Sequence, residues 1–164
     1  MRTLHGLKVL DLSNTNVEDL PNSISKLENL TSLILVGCVK LRFVPSLAKL
    51  RALRKLDLHF TSIEEIPDGM EMLVHLRYLD LFSSRLKEIP LGILPRLSRL
   101  QFLVVSWQSR TLKITGEEAA ALTKLETFVG RFNELQDFKT YNKSIQGERP
   151  TTYKLFVGSQ KNDL

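Results

Sequence analysis

The chain has 164 residues, of which 43 % are hydrophobic and 25 % are charged, and its formal net charge is +5. This composition is typical of one folded domain and excludes a disordered chain. The longest uncharged apolar stretch, Leu33 to Val39, is far shorter than the roughly 20 residues of a membrane-spanning helix, and the single cysteine excludes an internal disulfide.

A leucine pattern recurs along the first two thirds of the chain. The pattern Leu-x-x-Leu-x-x-Leu-x-Leu begins at Leu4, Leu27, Leu50 and Leu73, and a fifth copy from Leu97 ends on valine. The last two leucines of a copy are two residues apart, so they point to the same face of a strand. Because one copy cannot bury its leucines alone, the copies are predicted to stack as parallel strands around a continuous apolar core.

The second half of each copy also repeats. A small residue follows the last leucine at Thr15, Cys38, Thr61 and Ser84, and an aliphatic-proline pair comes a few residues later. The hydroxyl groups can donate and accept hydrogen bonds at this turn. Cys38 is predicted to pack in the core, because no second cysteine and no histidine cluster accompanies it to form a metal site. The proline helps the chain turn onto the other side, which has room only for a turn or two of helix or 3₁₀.

These features are typical of the leucine-rich repeat, whose period is about 20–29 residues. They predict an α/β fold, a right-handed solenoid with a parallel sheet on its concave face and short helical, 3₁₀ or extended segments on its convex side. Residues 1–107 would form the regular repeats. Residues 108–164 would form one or more degenerate repeats with a short helix over 116–121, a polar loop at 131–152 that contains one helical turn near Leu135, and a last strand at 153–157. Neither end has a polar capping unit, which indicates an uncapped fragment of a longer protein or an incomplete gene model.

Three stretches carry a closer resemblance: LKVLDLSNTNVEDLPNSISKLENL, LRKLDLHFTSIEEIPDGMEMLVHL and LRYLDLFSSRLKEIP. In their Thr or Cys after the strand, and in the acidic residues Glu18, Glu65 and Glu88 before the proline pair, they resemble plant nucleotide-binding leucine-rich-repeat disease-resistance proteins of the coiled-coil type. The resemblance implies the sensor and autoinhibitory segment of a cytoplasmic immune receptor. It also implies protein partners: a pathogen effector, a guarded host protein or the receptor's own nucleotide-binding domain.

No cofactor is predicted for this chain. It lacks the Gly-x-x-x-x-Gly-Lys-[Ser/Thr] loop that cradles phosphates, so ADP or ATP is expected only in an upstream nucleotide-binding domain. The mildly basic charge is spread along the chain, and no nucleic-acid partner is expected. The first fifteen residues lack the apolar core of a signal peptide, which favours a reducing, cytoplasmic location.

Side chains between the leucines alternate away from the core and are predicted to face the concave surface. In the third to fifth copies they include aromatic residues and arginine, the residue types that dominate interface hot spots, beside Lys55. The predicted protein-binding residues are Arg54, Lys55, Asp57, His59, Phe60, Arg77, Tyr78, Asp80, Phe82, Phe102 and Trp107. The stacked aspartates Asp57 and Asp80 are either compensated by Lys55 and Arg77 or available to a basic partner. Phe102 and Trp107 could instead pack against residues 108–121.

Three other classes of function fit the sequence less well. A free-standing cytosolic leucine-rich-repeat scaffold for signalling proteins is the main alternative, although such scaffolds normally keep asparagine where this chain has Thr, Cys or Ser. An extracellular receptor ectodomain would usually carry a glycine before Ile-Pro and flanking cysteine pairs. An enzyme is not predicted, because the sequence has no nucleophile-base arrangement, no metal-ligand spacing and no phosphate loop.

Overall fold

The computed structural model describes residues 4, 6–82, 85–105, 112–145 and 150–158. Within these ranges seven parallel strands form one sheet, and each strand pairs with the next one in the chain. The strands are β1 (Val9–Asp11), β2 (Ser32–Ile34), β3 (Lys55–Asp57), β4 (Tyr78–Leu81), β5 (Phe102–Val105), β6 (Thr127–Phe132) and β7 (Thr152–Val157). Strictly sequential pairing is the topology of a solenoid, so the predicted leucine-rich-repeat fold is confirmed.

The repeat leucines lie in register behind the sheet. One column through the strands consists of Leu10, Leu33, Leu56, Leu79, Leu103 and Phe128. Its members from the second repeat to Phe128 have no exposed surface. On the opposite side of the core lie three short 3₁₀ helices, Asn22–Lys26, Met70–Met72 and Leu94–Arg96, each of which buries one aliphatic side chain. The core is therefore a continuous apolar layer between the sheet and the convex side.

The turns between the strands and the convex side are held by the small-residue column. The hydroxyl groups of Thr15 and Thr61 donate to the carbonyl groups three residues earlier, at 2.8 and 2.9 Å. Cys38 is fully buried, and its thiol donates to the Leu12 carbonyl at 3.1 Å. Ser84 lies outside the described residues.

One glycine on the convex side is required by its surroundings. Gly69 precedes the 3₁₀ helix Met70–Met72 with a φ of 79°, in the left-handed region. A methyl group added there would lie 2.5–2.6 Å from the side chain and backbone of Ala48 in the preceding repeat. Backbones therefore approach too closely at this point for any other residue.

The C-terminal part is more helical than the sequence indicates. The expected short helix is α1 (Gly116–Ala120). In the polar loop predicted at 131–152, the single helical turn expected near Leu135 is a ten-residue helix, α2 (Leu135–Ser144). The sequence of α2 is polar on average, but the helix has a narrow apolar face. On this face Phe138 and Tyr141 pack against Phe132, and their ring centroids lie 6.2 and 5.4 Å, respectively, from that of Phe132. No helix among the described residues is long and apolar enough to cross a membrane.

Candidate protein-binding surface

The face of the sheet away from the core carries most of the predicted binding residues, and we call it the concave surface. The register of β3 to β5 places Lys55, Tyr78 and Phe102 in one row across three strands. Asp57 and Asp80 are paired two residues further along. His59, Phe60 and Phe82 lie just beyond the ends of β3 and β4, so residues from different copies form one surface. Predicted Trp107 lies outside the described residues.

The first row is a continuous stack. The Lys55 ammonium lies 4.2 Å from the centroid of the Tyr78 ring, in the position of a cation–π contact. Tyr78 in turn stacks on Phe102, with centroids 4.2 Å apart and ring planes inclined by 5°. The structure thus places Phe102 against Tyr78, and the stack gives this part of the surface a fixed shape.

The two aspartates are part of the surface but are buried within it. Asp57 is 5 % and Asp80 is 6 % exposed. Asp57 lies 3.4 Å from the Lys55 ammonium and accepts a hydrogen bond from the His59 backbone N–H. Asp80 accepts from the Phe82 N–H at 2.9 Å and lies 3.2 Å from His59 Nδ1. The predicted compensation by Lys55 is present, but His59 takes the place expected of Arg77 beside Asp80.

Burial controls the protonation of this cluster. The pKa of Asp80 is raised above its ordinary value because burial disfavours the carboxylate, although the Phe82 N–H and His59 oppose that shift. Burial also raises the pKa of the Tyr78 hydroxyl, and the charges of Asp57 and Asp80 raise it further. Tyr78 therefore remains protonated and can donate its hydrogen bond to Asp57.

A cluster of three rings lies beside the aspartates. His59 stacks on Phe82 with centroids 5.1 Å apart, and Phe60 meets both rings edge-on at 4.3 and 5.3 Å. Phe82 is only 9 % exposed, whereas Phe60 is 56 % exposed. Phe60 thus presents an apolar ring to solvent on a rigid base of two other rings.

The backbone at Phe60 has a conformation that suits other residues better. Asn14, Gly37 and Phe60 occupy the same place in the first three repeats, with φ values of 58°, 70° and 55°. At each, the N–H donates to a carbonyl group of the next repeat at 2.7–2.9 Å. Asparagine and glycine tolerate this left-handed conformation, but a bulky aromatic residue does so only with strain. Alignment of the copies with one another is the sequence signal that could have identified the position.

Two arginines lie at the other end of the same strands. Arg54 and Arg77 directly precede β3 and β4, and both are exposed. The Arg54 carbonyl accepts hydrogen bonds from the N–H groups of Arg77 and Tyr78, at 2.8 and 3.0 Å. The two side chains therefore start from adjacent strands, one residue before Lys55 and Tyr78.

Comparison with known proteins relates the chain to one group. The Leucine Rich Repeat family model matches residues 6–27. Disease resistance protein At4g27190 of Arabidopsis thaliana is 35 % identical, over 94 % of this chain and 17 % of its own length. Putative disease resistance protein At4g19050 of the same plant is 39 % identical, over 53 % of this chain and 7 % of its own length. The chain thus spans less than a fifth of either relative.

A solved structure agrees with the fold. The leucine-rich-repeat ectodomain of the plant membrane receptor kinase GASSHO1/SCHENGEN3 from Arabidopsis thaliana, in complex with CASPARIAN STRIP INTEGRITY FACTOR 2, superposes with a TM-score of 0.67. The alignment covers 94 % of this chain and 18 % of that one, at 23 % identity. At this identity the likeness concerns the fold alone.

Proposed function

The chain is a leucine-rich-repeat segment of the plant disease-resistance type, and from that premise we propose that it is a non-catalytic protein-binding module. It acts in the cytoplasm as the sensor and autoinhibitory part of an immune receptor. Its concave surface contacts a pathogen effector, a guarded host protein or the receptor's own nucleotide-binding domain. The observation that carries this proposal is the exposed, strained Phe60 in the ring cluster with His59 and Phe82.

Phe60 is difficult to explain by folding alone. The left-handed backbone conformation costs an ordinary residue about 1–2 kcal/mol, and Asn14 and Gly37 show which residues avoid that strain in the same place. Exposure of the ring to water is a further disadvantage. A partner that covers the ring would offset both, because aromatic residues, phenylalanine among them, are enriched in protein interfaces.

The titratable groups nearby are suited to shape the surface rather than to perform chemistry. Asp57 and Asp80 are occupied by backbone N–H groups, by Lys55 and by His59. The His59 ring is packed between Phe60 and Phe82. These contacts fix side chains in place, which favours binding and leaves neither carboxylate open for proton transfer to a substrate.

The test compares two substitutions that remove the same side chain. Phe60 and Phe43 are 56 % and 57 % exposed, but Phe43 lies on the convex side, where its backbone pairs with that of Asp19. Tagged wild-type chain, Phe60→Asn and Phe43→Asn would be expressed in leaf tissue, and the captured proteins quantified by mass spectrometry.

We expect one or more defence proteins to be retained by the wild type and by Phe43→Asn but lost from Phe60→Asn. Each such protein would then be purified and titrated against the three chains, with an expected loss of affinity of at least about tenfold for Phe60→Asn only. Equal retention and equal affinity for all three chains would contradict the proposal.

A further inference from the structure

We infer that the concave surface around β3 and β4 recognises an acidic polypeptide segment that also carries a large apolar side chain. This inference rests on the proposed function and specifies the chemistry of the partner. It is carried by three features: the neutralised aspartates, the adjacent arginines and the exposed Phe60 ring.

The negative groups of the surface are already satisfied. Asp57 and Asp80 are at most 6 % exposed. Their oxygens are held by the His59 and Phe82 N–H groups and by the side chains of Lys55 and His59. A basic partner would have to displace these contacts to reach a carboxylate. The possibility that the aspartates bind a basic partner is therefore disfavoured.

The positive groups differ, because two of them face solvent side by side. Neighbouring strands are about 4.8 Å apart, so Arg54 and Arg77 start from adjacent backbones. Both are exposed, and neither has an ion pair within the described residues. A carboxylate placed between the two guanidinium groups would neutralise their positive charge and accept bidentate hydrogen bonds.

The spacing sets the length of the segment. Arg54 and Phe60 are six residues apart along the same strand and the turn that follows it, which corresponds to at most about 20 Å. A partner lying along this direction can place carboxylates at Arg54 and Arg77 and an apolar side chain against Phe60. An extended stretch of about six to eight residues covers that distance.

Nucleic acid also carries negative charge, but the surface suits it less well. The rings of Tyr78 and Phe102 are stacked on each other, with Lys55 over the free side of Tyr78, so both faces of Tyr78 and one face of Phe102 are closed to bases. Of the described rings around β3 and β4, only that of Phe60 is exposed. A uridine oligonucleotide is nevertheless included in the test, because it would be attracted by the same arginines.

The experiment selects ligands without assuming their sequence. A phage-displayed library of random 12-residue peptides would be panned on the full chain, and selected peptides synthesised with a fluorescent label for anisotropy titrations. We expect the selected peptides to be enriched in Asp and Glu relative to the library and to contain a large apolar residue. Their affinity should fall when the salt concentration rises from 50 to 200 mM.

Charge reversal supplies the matched control. Arg54→Glu with Arg77→Glu should weaken binding by at least about tenfold, whereas the same charge change at the exposed convex residues Lys26 and Arg96 should change it by less than about threefold. A peptide whose acidic residues are replaced by lysine should prefer the Arg54→Glu, Arg77→Glu chain. Circular dichroism would verify that each variant is folded.

The other outcomes separate the inference from the proposed function. Peptides that lose binding in Phe60→Asn but show no acidic bias would overturn the inference and leave the proposed function standing. Peptides unaffected by substitutions at Phe60, Arg54 and Arg77 would count against both. Failure to enrich any peptide, or displacement of the peptides by equimolar uridine oligonucleotide, would overturn the acidic-segment inference.

Discussion

The substitution Phe60→Asn separates two contributions to stability, the backbone strain at position 60 and the packing of the phenyl ring. The left-handed conformation costs phenylalanine about 1–2 kcal/mol, and Phe60→Asn removes most of it while the N–H can still donate to the Phe82 carbonyl. The ring is 56 % exposed, so roughly 50–80 Å² of apolar contact is lost, about 1–2 kcal/mol at 25 cal/mol per Å². The two effects nearly cancel. The free energy of unfolding of Phe60→Asn should therefore lie within about 1 kcal/mol of the wild-type value.

The substitution Phe60→Ala should instead lower the stability, because it removes the packing of the ring and keeps the backbone strain. We therefore expect Phe60→Ala to be about 1 kcal/mol less stable than Phe60→Asn, which corresponds to roughly 2–4 °C in Tm for a chain of this size. Urea unfolding followed by circular dichroism would measure the difference as a shift in midpoint at constant slope.

Phe43 provides the control for this comparison. Its exposure matches that of Phe60, but its φ is not positive and its backbone pairs with that of Asp19 in the parallel sense. Asparagine is no better than alanine in such an extended position, so Phe43→Asn should be no more stable than Phe43→Ala. Equal stability of the two Phe60 variants, or the same advantage of asparagine at Phe43, would refute the reasoning from backbone strain.

Three further predictions concern stability. Gly69→Ala should lower the free energy of unfolding, measured in urea, by more than about 2 kcal/mol, because the added methyl group would lie 2.5 Å from Ala48 in the neighbouring repeat. Gly92 has the same left-handed backbone but open space around it, so Gly92→Ala should lower it by about 1 kcal/mol. Leu56→Ala should lower the free energy of unfolding by about 2–5 kcal/mol, because Leu56 is fully buried. Leu10 lies in the same column but is half-buried, so Leu10→Ala should lower it by less than half as much, and thermal melting would compare the two variants. Asp80→Asn should be stabilising at pH 7, because a raised folded-state pKa means that ionisation weakens the fold as the pH rises. The gain should vanish below the ordinary carboxyl pKa of 3.8, and a urea midpoint difference independent of pH would contradict it.

The register of the sheet could be predicted from spacing alone. Each 23-residue copy has the same leucine pattern, so a leucine of one copy must lie beside the same leucine of the next if all are to be buried. The observed pairs Leu33–Leu56 and Leu56–Leu79 follow that rule. The rows of the concave surface then follow from alternation along the strands, which places Lys55 beside Tyr78 without any knowledge of coordinates.

The partners of individual side chains could not be predicted in this way. His59 reaches forward to Asp80, 21 residues later, and so lies where Arg77 was expected. His59 lies in the turn after β3, next to the left-handed residue Phe60, where alternation along the strand no longer predicts the direction of a side chain. The full length of α2 could not be predicted for a different reason, because its apolar face consists of a few aromatic residues within a polar sequence.

In a repeat protein, aligned positions in successive copies can be compared with one another, and this comparison helps to explain the strained residue Phe60. Aligned positions in successive copies have the same backbone geometry, so the residues that occupy them in several copies show what folding alone prefers. At the left-handed position, the first two copies use Asn14 and Gly37, and the third uses Phe60. The local geometry is unchanged and the packing of the ring only offsets the backbone strain, so folding alone gives phenylalanine no advantage over asparagine at this position. Comparison of the chain with itself therefore supports the proposed contact of Phe60 with a partner.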